Sequence, residues 1–272
     1  MPRVFEILRY SIKTECLAPW VKFIWRFEAE NTTVRHKLLP TDSIDIIMNL
    51  SNDMVYETDS EKIPAPHFHI NGLRDTYSYI HQSGDIRVLG ISFFCFGLYP
   101  FVRKPLSNIQ SRIVDLDNIS ASLNQKLKSA ASGNITPNTI LSIEDTLCTE
   151  LRLDNNYVHK ANLMHDFMEA DSDVTVQSFC DERGISVKTF ERTVLQYSGY
   201  TPKLLRRIRR FQAASNQLAH EKPKILSTVA YDNNFTDQAH LIKEFQNFSG
   251  NTPCAFSCEK TTIKENVKYS YS

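Results

Sequence analysis

Two short strings, Ser198-Gly199-Tyr200-Thr201-Pro202 and Ser249-Gly250-Asn251-Thr252-Pro253, answer each other roughly fifty residues apart. Reading back from each, Tyr197, Val194 and Phe190 fall opposite Phe248, Phe245 and Leu241, so the match extends over a whole helical face. A chain that repeats one small unit must fold each copy in the same way and then join the copies. Between them runs Pro202 to Ala219, a basic stretch with the pattern of a single stiff helix. At the usual rise such a helix is about 27 Å long.

Each copy carries the parts of two helices around a tight turn. In the first, Val176, Phe179 and Cys180 mark the inner face of a short helix, Gly184 supplies a residue tolerant of positive φ, and Ser186 is suited to cap the next helix. That second helix is expected to bury Phe190, Val194 and Tyr197 while Val187, Lys188, Glu191 and Arg192 face outward. The second copy places Val229 and Ala230 inside, Asn234-Phe235 at the turn and Thr236 as the expected cap. Leu241, Phe245 and Phe248 are inward there, and Asp237, Gln238, Ala239, His240 and Lys243 outward. Outward polar faces of this kind can meet base edges when such a helix lies in a DNA major groove.

Charge supports a polyanionic partner locally though not globally, since the formal net charge is zero. From Arg183 to Arg210 the basic residues are Arg183, Lys188, Arg192, Lys203, Arg206, Arg207, Arg209 and Arg210, against Glu191 alone. The bridge helix and its flanking turns can hold two reading heads about one DNA turn, roughly 34 Å, apart.

On these residues the chain from about Val158 to Phe256 resembles the DNA-binding domain of AraC-family transcription regulators. The most specific match is Asn234-Phe235-Thr236-Asp237-Gln238-Ala239-His240-Leu241-Ile242-Lys243-Glu244-Phe245, followed by Gly250 and Thr252-Pro253. The family usually has Gly where Asn234 stands, and Asn is the next best residue for a left-handed turn; it often has Tyr where Leu205 stands. The resemblance implies base reading by Lys188, Glu191 and Arg192 in the first unit and by Asp237, Gln238, His240 and Lys243 in the second. Ser186, Val187 and Thr236 at the helix starts, with Arg206 and Arg209 on the bridge, complete the expected DNA-binding set.

Upstream the pattern changes. Val21 to Phe27, Ser43 to Leu50, Phe68 to Ile70 and Arg87 to Phe96 are short runs of branched and aromatic residues between polar or Pro/Gly turns, which predict a sandwich or small barrel. Leu17-Ala18-Pro19-Trp20-Val21 with Trp25, Leu39-Pro40-Thr41-Asp42, Asp45 to Leu50, Asn71-Gly72 and Leu89 to Phe93 resemble the cupin-like N-terminal domain on one branch of the same family; of a Gly-rich segment after the last strand only Gly97 and Pro100 are kept. Helices are then expected over Asp117 to Lys128, over Asn138 to Leu153 with Ile140, Leu141, Ile143, Leu147 and Leu151 inward, and from Val158 to Ala170.

Other chemistry finds less support. His67 and His69 stand at the spacing that metal-binding cupins use, but Asp75 and His81 follow without the carboxylate spacing of that motif. Neither a Gly-rich phosphate loop nor a nucleophile elbow is present. Six scattered cysteines imply reduced thiols rather than a disulfide framework. The longest apolar run, Ile91 to Phe101, is far shorter than the roughly 20 residues that span a bilayer, and no secretory pattern opens the chain.

The expectation is therefore an α+β chain. A β-rich cupin-like domain at 1–116, for sensing or dimerisation, leads through a helical connector at 117–157 to an all-α domain at 158–258, with two helix-turn-helix units joined by a linker helix and a frayed tail at 259–272. Its expected role is a cytoplasmic, non-enzymatic regulator of transcription that binds double-stranded DNA. No membrane, metal or cofactor is expected, and the β domain is expected to take a small-molecule effector or a second copy in a homodimer. The rival reading is a cupin-type metal-dependent enzyme with a helical appendage. A third reading is a regulator without an effector, controlled by its own abundance.

Overall fold

Alternation along the strands gives the β domain two apolar faces, and this decides how the molecule is layered. A computed structural model describes residues 7–109, 112–171, 174–220, 225–258, 261–264 and 267–270. The antiparallel sheet is built on two long partners, β2 (Val21–Leu38) and β7 (Ser78–Phe94), paired from Val21 opposite Phe93 to Leu38 opposite Ser78. Beside β7 lie β3 (Ser43–Asn49) and β4 (Met54–Glu57); β6 (Phe68–Asn71) and β8 (Ile113–Asp115) extend the β3 side. Strand β1 (Ile7–Tyr10) pairs with β2, and β5 (Lys62–Pro64) with β4.

Short strands were the expectation, yet β2 and β7 run on through Glu28 to Thr33 and Ser83 to Asp85, which read as turns. A register shift between Ala29 and Thr32 absorbs the misfit: Asn31 adopts φ 44 and its N–H donates to Asp85 Oδ1 at 2.9 Å, while Gly84 opposite Thr32 adopts φ 90. A bulge thus carries a polar segment through the ladder without ending it.

On β3, Ile44, Ile46 and Met48 point to the main core while Ser43, Asp45 and Ile47 point to a cavity; on β7, Leu89, Ile91 and Phe93 take the core side and Val88 and Ser92 the cavity side. The core side is covered by helices: α1 (Tyr99–Val102), a 3₁₀ turn at Leu106–Ile109, α2 (Leu116–Ile119), α3 (Ala121–Ala130) and α4 (Pro137–Glu150). The single helix expected over 117–128 is broken at Ser120, an extended residue that caps α3 by accepting from Leu123 N–H. Leu141 is 50% exposed, against the inward placement expected for it. Ile140, Ile143 and Leu147 share one buried stripe on α4, and Leu141 lies about a quarter turn away from it.

The helical domain follows without a break in the core. Helix α5 (Asn155–Glu169) starts earlier than expected because Asp154 caps it, accepting from Tyr157 N–H at 2.8 Å. The expected boundary after Tyr157 therefore falls inside this helix. Then come α6 (Val176–Glu182), α7 (Val187–Ser198), the bridge α8 (Pro202–His220), α9 (Leu226–Asp232), α10 (Gln238–Ser249) and α11 (Pro253–Cys258). The tail expected to fray instead forms β9 (Thr261–Lys264) and β10 (Val267–Ser270), with β10 on the β2 edge.

Four aromatic side chains lock this junction. Tyr157 lies 4.9 Å from Tyr99 and 5.1 Å from Tyr197, Tyr99 lies 4.6 Å from Tyr197, and Trp20 stacks on Tyr157 at 5.4 Å. The buried Tyr157 hydroxyl donates to the Phe96 carbonyl. Close passage of the chain is needed here: a Cβ on Gly97 would strike the Trp20 carbonyl.

Helix α10 is clamped to the bridge by a charge pair. Arg207 donates through Nε (2.9 Å) and Nη2 (2.7 Å) to Glu244, whose side chain is 6% exposed against 33% for Arg207. Arg207→Ala should strand that carboxylate and cost on the order of 2–3 kcal/mol, below the about 3–5 of a fully buried pair because the arginine is partly in water. A shift in urea midpoint with unchanged slope measures it; no shift would mean that Glu244 finds another donor.

Candidate functional site

The two repeated units close in the same way. In the first, Ile185 N–H donates to Cys180 O at 3.0 Å and Gly184 takes φ 63; in the second, Phe235 N–H donates to Ala230 O at 2.9 Å and Asn234 takes φ 56. Both outer helices end on glycines in the left-handed region, Gly199 (φ 85) and Gly250 (φ 69). Phe167, Phe179 and Phe190 pack with centroids 5.0 to 5.3 Å apart under the first unit. Phe211, Phe245, Phe248 and Phe256 fill the second.

With the apolar faces buried, the opposite faces are set. On α7, Lys188, Glu191 and Arg192 are exposed, Val187 is half-buried and Ser186 caps the helix by accepting from Thr189 N–H at 3.2 Å. On α10, Gln238 and Lys243 are exposed and His240 is half-buried against Phe235. Thr189 on α7, and Gln246 and Asn247 on α10, are also exposed; a count of three and four residues on from the positions named above reaches the latter two.

Two expectations are corrected. Thr236 does not cap α10. Asp237, one residue on, is extended (φ −162) and accepts from His240 N–H at 2.7 Å, as suits an aspartate at a positive helix end. Arg206, expected on the DNA side, has its guanidinium turned back onto the protein. It donates to the carbonyls of Phe167 (2.8 Å), Asp171 (3.1 Å) and Val174, and lies 4.1 Å from the centre of the Phe167 ring. Its neighbours are similarly engaged: Arg207 with Glu244, Arg209 with Glu169 at 2.9 Å, and Arg210 with the Asn234 carbonyl at 3.2 Å. A helix lying between two units must be fastened to both, and guanidinium groups suit the exposed carbonyls of helix ends and turns. Lys203 stays exposed on the bridge.

The β domain carries a second candidate site, a half-open cavity of ≈ 290 Å³. Phe23, Trp25, Phe27 and Tyr56 supply aromatic walls; Arg9, Lys22, Asp45 and Gln82 supply polar groups. Asp45 stands out because its Oδ1 has no protein hydrogen-bond partner although it is buried. Desolvation raises its carboxyl to about 6, against opposing effects of a Ser92 hydrogen bond and of Lys22, Arg74 and Arg9. Burial likewise lowers His36, on the cavity wall, to about 4.

The histidines that suggested a metal are separated by the fold. His67 is exposed, with Nδ1 3.1 Å from the Asn49 carbonyl. His69 is fully buried, with Nδ1 2.7 Å from the Pro66 carbonyl and Nε2 2.9 Å from the Tyr56 hydroxyl. Both its nitrogens are thus engaged as in a neutral imidazole, and burial lowers it to about 4. Among the described residues no three His, Cys, Asp or Glu side chains are grouped to hold a metal ion, and no helix is long and apolar enough to cross a membrane.

The β domain also touches both helix-turn-helix units and the bridge. Tyr200, just after α7, donates its hydroxyl to the Leu73 carbonyl at 2.7 Å; Gln212 on α8 donates to the Pro40 carbonyl at 3.4 Å; and the Tyr77 ring occupies the space beside Gly250, at the end of α10, where a Cβ would project.

A helix-turn-helix domain family matches residues 179–257, and a domain family of unknown function matches residues 14–115. No curated protein matches the chain by sequence. Among solved structures, ToxT from Vibrio cholerae O395 is similar at 12% identity over 86% of this chain and 95% of its own, with a TM-score of 0.44. The AraC-like transcriptional activator CuxR is similar at 17% identity over 78% and 82%, with a TM-score of 0.34. An RmlC-like cupin from Desulfovibrio desulfuricans is similar at 16% identity over 33% and 81%, with a TM-score of 0.25. At such scores the three likenesses are distant. With two like-built units on one bridge helix and the family match that spans them, residues 179–257 form a helix-turn-helix domain of the AraC type.

Proposed function

We propose that this chain is a sequence-specific DNA-binding transcription regulator that reads two adjacent half-sites and is modulated by a small molecule held in its β domain. The observation that carries the first part is the repetition of one turn geometry, which turns Lys188, Glu191 and Arg192 on α7 and Gln238 and Lys243 on α10 toward solvent. Base reading belongs to these faces. Phosphate contact belongs to Lys203 and the two helix starts, with Ser186 and Asp237 ordering the first turns. The second part rests on the cavity, where aromatic walls suit an apolar body and the Asp45 oxygen suits a hydrogen-bond donor.

Selection of binding sites from random DNA, followed by hydroxyl-radical footprinting, tests the DNA part. Two protected groove segments about 10 base pairs apart are expected. Arg192→Ala should relax preference in one half-site, and Gln238→Ala or Lys243→Ala in the other, each at about 1–3 kcal/mol. One protected segment alone would make the second unit structural.

Salt dependence separates the bridge residues. Lys203→Ala should reduce the slope of log affinity against log salt by about 1. Arg206→Ala should leave that slope unchanged and lower the unfolding midpoint instead, because its guanidinium serves backbone carbonyls. The reverse result would return Arg206 to the DNA surface.

Asp45 gives a pH signature. Its folded value of about 6 lies above the ordinary 3.8, so its contribution to stability is full below about 3.8 and is lost as pH rises through 6. His36 and His69, lowered from 6.5 to about 4, act oppositely: their contribution is present above 6.5 and is lost as pH falls toward 4. The β domain should therefore lose stability from pH 6.5 to 4, and Asp45→Asn should steepen that loss while stabilising the protein at pH 7. Urea midpoints at several pH values measure both; an Asn variant less stable at pH 7 would show that the carboxylate is held by something other than the cavity.

A further inference from the structure

Cys16 and Cys148, far apart in sequence, have their sulfur atoms 3.1 Å apart as free thiols. Cys16 is exposed in the turn that precedes β2, and Cys148 is partly buried on α4. Their approach is held by a second set of contacts. Glu144, one turn before Cys148 on the same helix face, accepts from the N–H of Lys13 (3.3 Å) and of Thr14 (3.0 Å) and from the Thr14 hydroxyl (2.6 Å). The turn is further pinned by Leu17 and Trp20, which are buried.

We propose that Cys16 and Cys148 are a reversible thiol–disulfide pair that clasps the turn before β2 to α4. Only about 1 Å of sulfur movement separates the observed pair from disulfide bonding distance. A low-molecular-weight disulfide, such as oxidised glutathione, is the oxidant. The Cys16 thiolate attacks it, forming a mixed disulfide and releasing one thiolate, which takes up the proton that Cys16 lost. Cys148 then attacks the Cys16 sulfur and expels the second thiolate, which takes the Cys148 proton. Two protein thiols become one disulfide, and the oxidant becomes two thiols.

The surroundings fit this order of events. Burial, then the hydrogen bond and charge of Cys16, push the Cys148 thiol up to about 12, so the exposed Cys16 reacts first. Capping of Cys16 in the mixed disulfide removes the last two of these effects. Cys95 and Cys180 are buried, and Cys254 is exposed on α11. The clasp would act on the aromatic junction, since Trp20, four residues after Cys16, stacks on Tyr157.

The test uses the full-length reduced protein in buffers of graded reduced-to-oxidised glutathione ratio, alkylated and mapped by mass spectrometry. The expected result is a Cys16–Cys148 linked peptide within single chains, lost again on adding dithiothreitol, with a rise in thermal midpoint in the linked form. Cys148→Ser should instead accumulate a glutathione adduct on Cys16, and Glu144→Gln should slow linkage several-fold while keeping a native circular dichroism spectrum. Linkage only between chains or to other cysteines, no linkage in the folded protein at the oxidising end, or linkage that leaves the midpoint unchanged would overturn the proposal.

Discussion

Desolvation of one phenol organises this molecule. Tyr157 can be buried only if its hydroxyl finds an acceptor, and the Phe96 carbonyl at the end of the sheet provides it. That bond fixes the start of α5 on the β domain, and the ring then serves as a floor for Trp20, Tyr99 and Tyr197. Offset and edge contacts of this kind contribute about 0.5–1.5 kcal/mol each beyond area burial. Because Tyr197 belongs to α7, that helix is positioned by the sheet as much as by its own unit. The orientation of Lys188 and Arg192 is thus a property of the whole chain.

The cavity and the helical core share the same strands. Asp45 faces the cavity while Ile44 and Ile46 on either side face the core beneath the helices. A ligand that pairs with Asp45 differently in two arrangements of β3 would shift the population between them, and only to the extent of that difference. The contacts from Leu73, Pro40 and Tyr77 to the helical domain lie on segments flanking those strands, which gives such a shift physical routes to the two units and the bridge.

Much of the helical half was legible because its rules are local. Gly184, Asn234 and Gly250 take the left-handed conformations that their residue types suit, and Ser186 caps the helix that it precedes. Thr236 and Asp237 are adjacent capping residues, and sequence alone does not decide which of two neighbours turns extended. The β half was less legible. A bulge at Asn31 hides inside a polar string, and the cavity is assembled from alternate residues of strands far apart in the chain. The partners of Arg206 were hidden for a different reason: a basic run signals a polyanion when its partners are invisible, and here the partners are carbonyls some 30 to 40 residues upstream. The Cys16–Cys148 contact has no local signature at all.

The unbroken core bears on how such a chain can diversify. Tyr197 and Tyr200 are covered by Tyr99 and by the backbone around Leu73, and Gly250 admits Tyr77 where any larger residue would collide. A helical half grafted onto an unrelated β domain would arrive with these aromatic surfaces uncovered and with no ring to fill the notch beside Gly250. Recombination between lineages would then succeed only where the donor β domain carries matching contacts. The two halves are therefore expected to be inherited together, as one unit of descent rather than as interchangeable parts.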